Sequence, residues 1–154
     1  MAGNVENQQI EIYEVQEVTD ELVESFARLI PQLTKTKPAP NEEVLKEVVS
    51  SPNTVLIIAR DSESNNKIVG TLTLVFFRTP VAMRSRIEDV VVDKDSRGNG
   101  IGEALINYAI SSATQSCSVS VDLTSRPDRE VANRLYRRIG FEKHLTNVYR
   151  YQLT

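Results

Sequence analysis

One stretch of this sequence, residues 86–102, limits the possible folds most, because a strand, a glycine-rich turn and a helix follow one another there directly. Residues 87–92 are rich in apolar side chains, the next ten residues include three closely spaced glycines, and the apolar spacing of a helix follows. The backbone N–H groups of such a turn and the positive end of the helix dipole converge on one point. The sequence therefore predicts a phosphate site at this turn.

Length and charge exclude several classes of protein. The 154 residues suffice for one domain with a single core, which we expect over residues 9–154 behind a flexible N-terminus, residues 1–8. The net charge of −3 gives no general attraction to nucleic acid. No apolar run approaches the roughly 20 residues that span a bilayer, and the polar first residues lack the core of a signal peptide. We therefore expect a cytoplasmic protein that binds neither nucleic acid nor membranes.

The chain has one cysteine, Cys117, and one histidine, His144. One cysteine cannot form an internal disulfide, and the pair cannot build a Cys/His zinc site, so we predict no metal. Cys117 is predicted to be a small buried residue near the start of a strand, since free cysteines are mostly buried. His144 is predicted to have a structural role beside a closing strand.

Apolar periodicity and capping residues predict the secondary structure. The helices begin at Thr19 or Asp20, at Asn41, at Gly100 and at the capping pair Ser125 and Asp128, and they end near residues 33, 52, 115 and 139. The predicted strands lie at residues 10–15, 54–60, 68–77, 86–93, 118–124, 141–144 and 148–153.

These elements predict the α/β (α+β) class, with a single mixed, largely antiparallel sheet of about 6–7 strands flanked by about four helices. A polar turn makes the strands at 54–60 and 68–77 a hairpin. Residues 86–144 are predicted to include a right-handed parallel crossover, and helices are predicted to cover both faces of the sheet.

Two nucleotide-binding motifs do not fit the glycine-rich turn. A P-loop needs a lysine directly after its last glycine, and no lysine stands there. The dinucleotide fingerprint needs its third glycine three residues after the second, whereas Gly98, Gly100 and Gly102 are evenly spaced. The turn therefore matches neither motif, and it binds a different kind of ligand or none.

The pattern Arg97, Gly98, Gly100 and Gly102 after a valine-rich strand resembles the acetyl-CoA loop of the Gcn5-related N-acetyltransferase family. Glycines suit such a loop, because a pyrophosphate can approach backbone N–H groups closely only where no Cβ intrudes. The alternative is a plain strand-to-helix turn, with the glycines serving tight packing.

A second motif strengthens the resemblance. Asn133, Tyr136 and the pair Gly140 and Phe141 match the family's second signature, and positions 133 and 136 share one face of a helix. The resemblance covers residues 10–153 and implies an acyl-CoA N-acyltransferase fold. It also implies direct transfer of the acetyl group of acetyl-CoA to a primary amine, without a covalent acyl-enzyme.

The resemblance leaves the acceptor amine open. A small molecule such as an amino sugar phosphate or a polyamine is the first expectation, and Lys35, Lys37 and Lys143 could receive its anionic groups. A protein or peptide N-acetyltransferase and a non-catalytic acyl-CoA-binding module are the alternatives. A homodimer is an expectation from the resemblance alone.

Catalytic roles follow from the chemistry of amine acylation. A primary amine is mostly protonated at pH 7, so a carboxylate must accept its proton, directly or through water. Glu88 is the candidate base and Asp89 the runner-up. In a regular strand the side chain of Glu88 lies on the same face as those of Val90 and Val92, and a bulge would break this alternation. The structural alternative for Glu88 is an ion pair with Arg84 or Arg86.

The remaining site residues are carried over from the family motifs. Tyr136 is the predicted general acid for the leaving thiolate, and Asn133 is predicted to bond the pantetheine arm or to position Tyr136. The backbone of the strand is predicted to pair with pantetheine amides by strand addition. The predicted acetyl-CoA contacts are Val90, Val91, Val92, Arg97, Gly98, Asn99, Gly100, Ile101, Gly102 and Asn133.

Overall fold

The structure is a computed structural model that describes residues 9–154. The chain divides into two compact units, Met1–Leu123 and Thr124–Thr154, and each is described here by itself. The N-terminal segment that the sequence predicts to be flexible, residues 1–8, lies outside the described residues.

The first two helices begin where the sequence predicts. Helix α1 spans Asp20–Leu33, and the Thr19 hydroxyl caps it by accepting the N–H of Leu22 at 3.2 Å. Helix α2 spans Glu42–Ser50, and the side-chain oxygen of Asn41 accepts the N–H of Val44 at 3.0 Å. Both caps satisfy N–H groups that the first turn of a helix leaves without a partner.

A single five-stranded sheet with order β1-β2-β3-β4-β5 forms the centre of the first unit. Neighbouring strands are antiparallel except for the parallel pair β4 and β5, which helix α3 (Ile101–Gln115) connects. The mixed, largely antiparallel sheet, the hairpin and the parallel crossover are thus confirmed. The strands are β1 (Ile10–Glu14), β2 (Thr54–Asp61), β3 (Lys67–Arg78), β4 (Met83–Val92) and β5 (Val121–Asp122).

Helices pack on both faces of this sheet, as predicted. Leu56 and Ile58 of β2 belong to a buried cluster with residues of α1 and α2, while the alternate Ile57 is fully buried and points to the opposite face. On that face α3 approaches β3 closely, because a Cβ at Gly70 would stand 3.0 Å from the Cδ1 of Leu105.

The strand count is lower than the predicted 6–7. The predicted strand at 118–124 is only the two residues of β5, and the stretches 141–144 and 148–153 are not strands. The apolar side chains of 148–153 are largely exposed, among them Tyr149 and Tyr151. Alternation indicates a strand only where one face is buried, and that condition is not met here.

The second unit contains helix α4, Glu130–Ile139, which ends at Gly140 as predicted. Gly140 adopts φ 119°, and its N–H donates to carbonyls of the last turn. The predicted capping pair Ser125 and Asp128 is wrong: Arg129 is the N-cap residue and makes no side-chain cap bond. The Asp128 carboxylate instead lies 3.7 Å from Arg126.

The prediction for Cys117 is also wrong, because this residue is exposed and follows α3 in a left-handed conformation with φ 58°. Its N–H donates to the carbonyl of Thr114, and the N–H of Ser118 donates to that of Ala113. This pair of bonds is the Schellman motif that ends many helices. Among residues 9–154, no helix is long and apolar enough to cross a membrane.

Candidate functional site

A β-bulge interrupts β4 at the predicted catalytic carboxylates. Thr73 of β3 lies opposite Glu88, and Thr71 lies opposite Val91, so β4 has one residue more than β3 between the two pairs. Asp89, inside this interval, adopts a left-handed conformation with φ 52°. The extra residue and the left-handed backbone together define the bulge.

The bulge changes which residues share a face of the sheet. Glu88 and Val91 lie opposite Thr73 and Thr71, whose side chains share one face of β3. Val91 belongs to the buried cluster that includes residues of α1. Val90 and Val92 alternate with Val91 and therefore belong to the other face. The shared face of Glu88, Val90 and Val92, which a regular strand would give, is not formed.

Glu88 forms an ion pair with Arg86, through the Nε of the guanidinium and one carboxylate oxygen. Both side chains are partly exposed, so this pair is solvated and its contribution to stability is small. The structure therefore selects Arg86 over Arg84 as the ion-pair partner that the sequence left open.

Asp89 has a different environment from Glu88. Its side chain reaches solvent, yet surrounding protein atoms partly desolvate it, and this burial, with the neighbouring charge of Glu88, raises the pKa of the Asp89 carboxyl. A carboxylate with a raised pKa is a better proton acceptor near neutral pH than an ordinary one.

The outer edge of β4 is open from Ile87 to Val92, a stretch that contains the bulge. Strand β5 pairs with β4 only at Ser85 and Arg86, whereas β4 continues to Val92. Within residues 9–123, no strand pairs with residues 87–92 on that side. This open edge of β4 includes the three valines for which the sequence predicts backbone contacts, and an unpaired strand edge can accept an added strand.

The loop after β4 leads into α3 through two left-handed glycines. A 3₁₀ turn, Lys94–Ser96, is followed by Gly98 with φ 83° and Gly100 with φ 76°. A Cβ built on either glycine would meet no heavy atom within 4 Å, chain neighbours aside. The glycines are therefore required by backbone conformation and not by packing, and the space beside them is open.

Arg97 and Asn99 bond within this loop. The Nε of Arg97 donates to the carbonyl of Val92 at 3.1 Å, and the side-chain amide of Asn99 donates to the carbonyl of Ser96 at 3.2 Å. Gly100 is the N-cap residue of α3 and offers no side-chain cap, so a bound anion could satisfy the first N–H groups of that helix. We call residues 97–102 the glycine loop.

The second unit brings Asn133 and Tyr136 together on one face of α4. The Asn133 amide donates to the carbonyl of Arg126 at 2.9 Å, and the Tyr136 ring packs edge-on against Phe141 at a centroid distance of 6.0 Å. Burial raises the pKa of the Tyr136 phenol, although the nearby charge of Arg129 acts in the opposite direction. The phenol therefore stays protonated at neutral pH and can donate its proton.

The structure thus places the predicted residues in two groups. The carboxylates, the open edge of β4 and the glycine loop are continuous in the first unit, and Asn133 and Tyr136 lie in the second. His144 is exposed and belongs to no strand. Residues 9–154 contain no group of three His, Cys, Asp or Glu side chains that could hold a metal ion.

Sequence reasoning missed the residues that hold the start of the loop. Asp93, directly after β4, is buried and bonds to Arg28 and Gln32 of α1. These partners are separated by more than sixty residues from Asp93. Nothing in the sequence around Arg28 and Gln32 indicated that contact.

A family model described as the acetyltransferase (GNAT) family matches residues 15–141 of this chain. An uncharacterized N-acetyltransferase of Methanocaldococcus jannaschii is 41% identical over 59 residues, which cover 38% of this chain and 26% of that protein. The match thus spans about a quarter of the length of that curated relative.

Two solved structures share the fold across nearly the whole chain. An aminoglycoside acetyltransferase from an uncultured soil metagenomic sample has a TM-score of 0.80 and 23% identity, covering 96% of this chain and 99% of its own. Glucosamine-6-phosphate N-acetyltransferase from Arabidopsis thaliana has a TM-score of 0.76 and 21% identity, covering 92% and 97%. At these identities the likeness concerns the fold.

Proposed function

Because the chain belongs to the GNAT family of acetyltransferases, we propose that it transfers the acetyl group of acetyl-CoA directly to a primary amine of a small molecule. The observation that carries the proposal is the continuity of the open edge of β4 with the glycine loop. The edge offers backbone groups to the amides of a pantetheine arm, and the loop offers open space beside two left-handed glycines for a pyrophosphate.

Acetyl-CoA supplies the acetyl group as a thioester, whose carbonyl carbon forms the new bond to nitrogen while its bond to sulphur breaks. The residues of the chain supply proton transfers and orientation. Glu88, or Asp89 in its place, accepts the proton that the amine must lose, directly or through water. Tyr136, whose phenol is protonated at neutral pH, donates a proton to the departing sulphur. Asn133 holds the turn before α4 and thereby orients Tyr136.

Backbone groups of the open edge of β4 have a second role in this proposal. An N–H among Val90, Val91 and Val92 can donate to the thioester oxygen, where negative charge develops during the reaction. Such a donor is already oriented by the strand, so no reorganisation is needed when the charge appears.

Cationic side chains near Glu88 support an acceptor that also has an anionic group. Arg84 and Arg86 lie opposite Phe77 and Val75, on the same face of the sheet as Glu88. An amino sugar phosphate presents an amine and an anion within one small molecule, and glucosamine 6-phosphate is named for one of the structural neighbours. Aminoglycosides, named for another, are amines without phosphate.

The experiment that tests the proposal has two stages. Isothermal titration of the purified protein with acetyl-CoA should show saturable binding, whereas ADP and NAD should not reproduce it. A panel of acceptors then follows, in which glucosamine and glucosamine 6-phosphate form a matched pair and spermidine and a lysine peptide represent the other classes. Release of free thiol is the measurement.

Each outcome decides between functions. Turnover of glucosamine 6-phosphate but not of glucosamine supports a small-molecule acceptor that has an anionic group. Turnover of the peptide alone would replace it by a protein acetyltransferase, and binding without turnover of any amine would favour a non-catalytic acyl-CoA module. Absence of acetyl-CoA binding would overturn the proposal. A homodimer, proposed on the family resemblance alone, is tested by light scattering on the purified protein.

A further inference from the structure

The carboxylate of Asp93 connects α1 to the start of the loop. Asp93 directly follows β4 and is only 3% exposed. Its Oδ2 forms an ion pair with the Nη1 of Arg28, and the Nζ of Lys67 lies 4.0 Å from the same oxygen. The other end of the Arg28 guanidinium, Nη2, donates to the carbonyl of Ile68 at 2.6 Å. A carboxylate at such depth is stable only with partners of this kind.

Gln32, one turn further along α1, binds the loop backbone itself. Its side-chain oxygen accepts the N–H of Lys94 at 2.8 Å, and its amide nitrogen lies 3.5 Å from the Oδ1 of Asp93. The same Oδ1 accepts the N–H of Asp95 at 3.3 Å. Residues 93–95 are therefore each bonded, directly or through Asp93, to side chains of α1.

The charge of Asp93 is stable at neutral pH. Burial alone would raise its pKa, but the N–H of Asp95, the charge of Arg28 and the amide of Gln32 together hold the pKa of this carboxyl below its usual range. The Arg28 guanidinium donates to the Asp93 carboxylate and to the carbonyl of Ile68, so it connects α1 to the start of the loop.

We propose that Arg28, acting through Asp93, and Gln32, acting through Asp93 and the N–H of Lys94, position the glycine loop for the phosphates of the acyl-CoA. The inference rests on the proposed function, since it concerns the same loop. Two left-handed glycines within three residues give this loop wide conformational freedom, and a ligand that binds only the ordered loop loses affinity in proportion to the fraction that is ordered. Tying residues 93–95 to a helix of the core keeps that fraction high.

The test compares three variants that each remove a polar contact of α1. Gln32→Leu removes the acceptor of the Lys94 N–H, and Arg28→Met removes the ion pair with Asp93. Arg60→Met is the matched control, because Arg60 forms a two-pronged ion pair with Glu21 of the same helix but does not bond to the loop. Binding of acetyl-CoA and of dephospho-CoA, which keeps the pyrophosphate but lacks the 3′-phosphate, is measured by titration.

Gln32→Leu should weaken the binding of both ligands by the same factor, about tenfold if one molecule in ten keeps the loop ordered. Arg28→Met should weaken it at least as much, and Arg60→Met should lower the unfolding temperature while both dissociation constants stay within about twofold. Unchanged affinity in Gln32→Leu, or an equal loss in Arg60→Met, would overturn the positioning role.

Hydrogen exchange separates this inference from the proposed function. The amides of residues 94–100 should exchange faster in Gln32→Leu than in the wild type even without ligand, and at the wild-type rate in Arg60→Met. Equal exchange in Gln32→Leu and the wild type would refute the positioning role. Failure of the wild type to bind acetyl-CoA would instead refute the proposed function, whatever the exchange rates show.

Discussion

Replacing Gly100 by alanine tests the glycine loop through backbone conformation alone. At φ 76° an L-residue pays about 1–2 kcal/mol relative to the right-handed region. No heavy atom beyond the chain neighbours lies within 4 Å of the new Cβ, so no clash is added to this strain. For a chain of this length each kcal/mol lowers the unfolding temperature by about 2–4 °C, so we expect a loss of about 2–8 °C in a protein that still folds.

The same methyl group enters the open space that the proposal assigns to a phosphate. Titration with acetyl-CoA should therefore show an affinity at least about tenfold lower, equivalent to about 1.4 kcal/mol. Asn65→Ala is the control, because it also puts alanine in the left-handed region, at φ 56°, but in the exposed turn between β2 and β3. It should lower the unfolding temperature without changing the affinity.

Two results would refute the reasoning for Gly100. An unchanged dissociation constant in a destabilised Gly100→Ala variant would show that no phosphate approaches this turn. An unchanged unfolding temperature would show that the left-handed conformation of Gly100 is not required by the folded state.

The remaining predictions concern the catalytic and buried residues. Tyr136→Phe should lower kcat about 10²-fold while acetyl-CoA binding persists, and near-normal turnover would remove the acid role. Glu88→Gln should also lower kcat about 10²-fold, whereas normal turnover there with a large loss in Asp89→Asn would transfer the base role to Asp89. Asp93→Asn should destabilise the protein at pH 7. The pKa of Asp93 in the folded state lies below its ordinary value near 3.8, so the ionised carboxylate stabilises the fold at pH values above 3.8. The difference in unfolding temperature between variant and wild type should vanish as the pH falls below the folded-state pKa, and a constant difference would contradict this. Leu105→Ala, at a fully buried position, should cost about 2–5 kcal/mol in urea unfolding, and a loss under about 1 kcal/mol would contradict its place in the core.

Local signals predicted several helix ends and the glycine loop. Thr19, Asn41 and Gly140 mark helix ends because capping depends on residues next to one another in the chain. The glycine loop was predictable for the same reason, since its left-handed residues are the glycines themselves. The family motifs, which lie on such local elements, identified the candidate site.

The features that the sequence did not predict depend on partners far along the chain. The bulge at Asp89 is defined by the register of β4 against β3, and no pattern within β4 alone specifies that register. The contact of Asp93 with Arg28 joins residues 65 positions apart. The stretch 148–153 alternates like a strand, yet its side chains have no buried face to occupy.

The bulge also sets which changes of length this strand can accept. Most loops tolerate the loss of one residue, but removal of Asp89 would restore a regular ladder and move residues on one side of it to the opposite face. Val91 would then leave the buried cluster that it shares with residues of α1, or the glycine loop would shift away from Gln32 of that helix, which accepts the N–H of Lys94. Substitution is constrained at the same position, since φ 52° favours Gly, Asn or Asp. Residue 89 can therefore gain or lose a negative charge during divergence far more easily than it can be deleted.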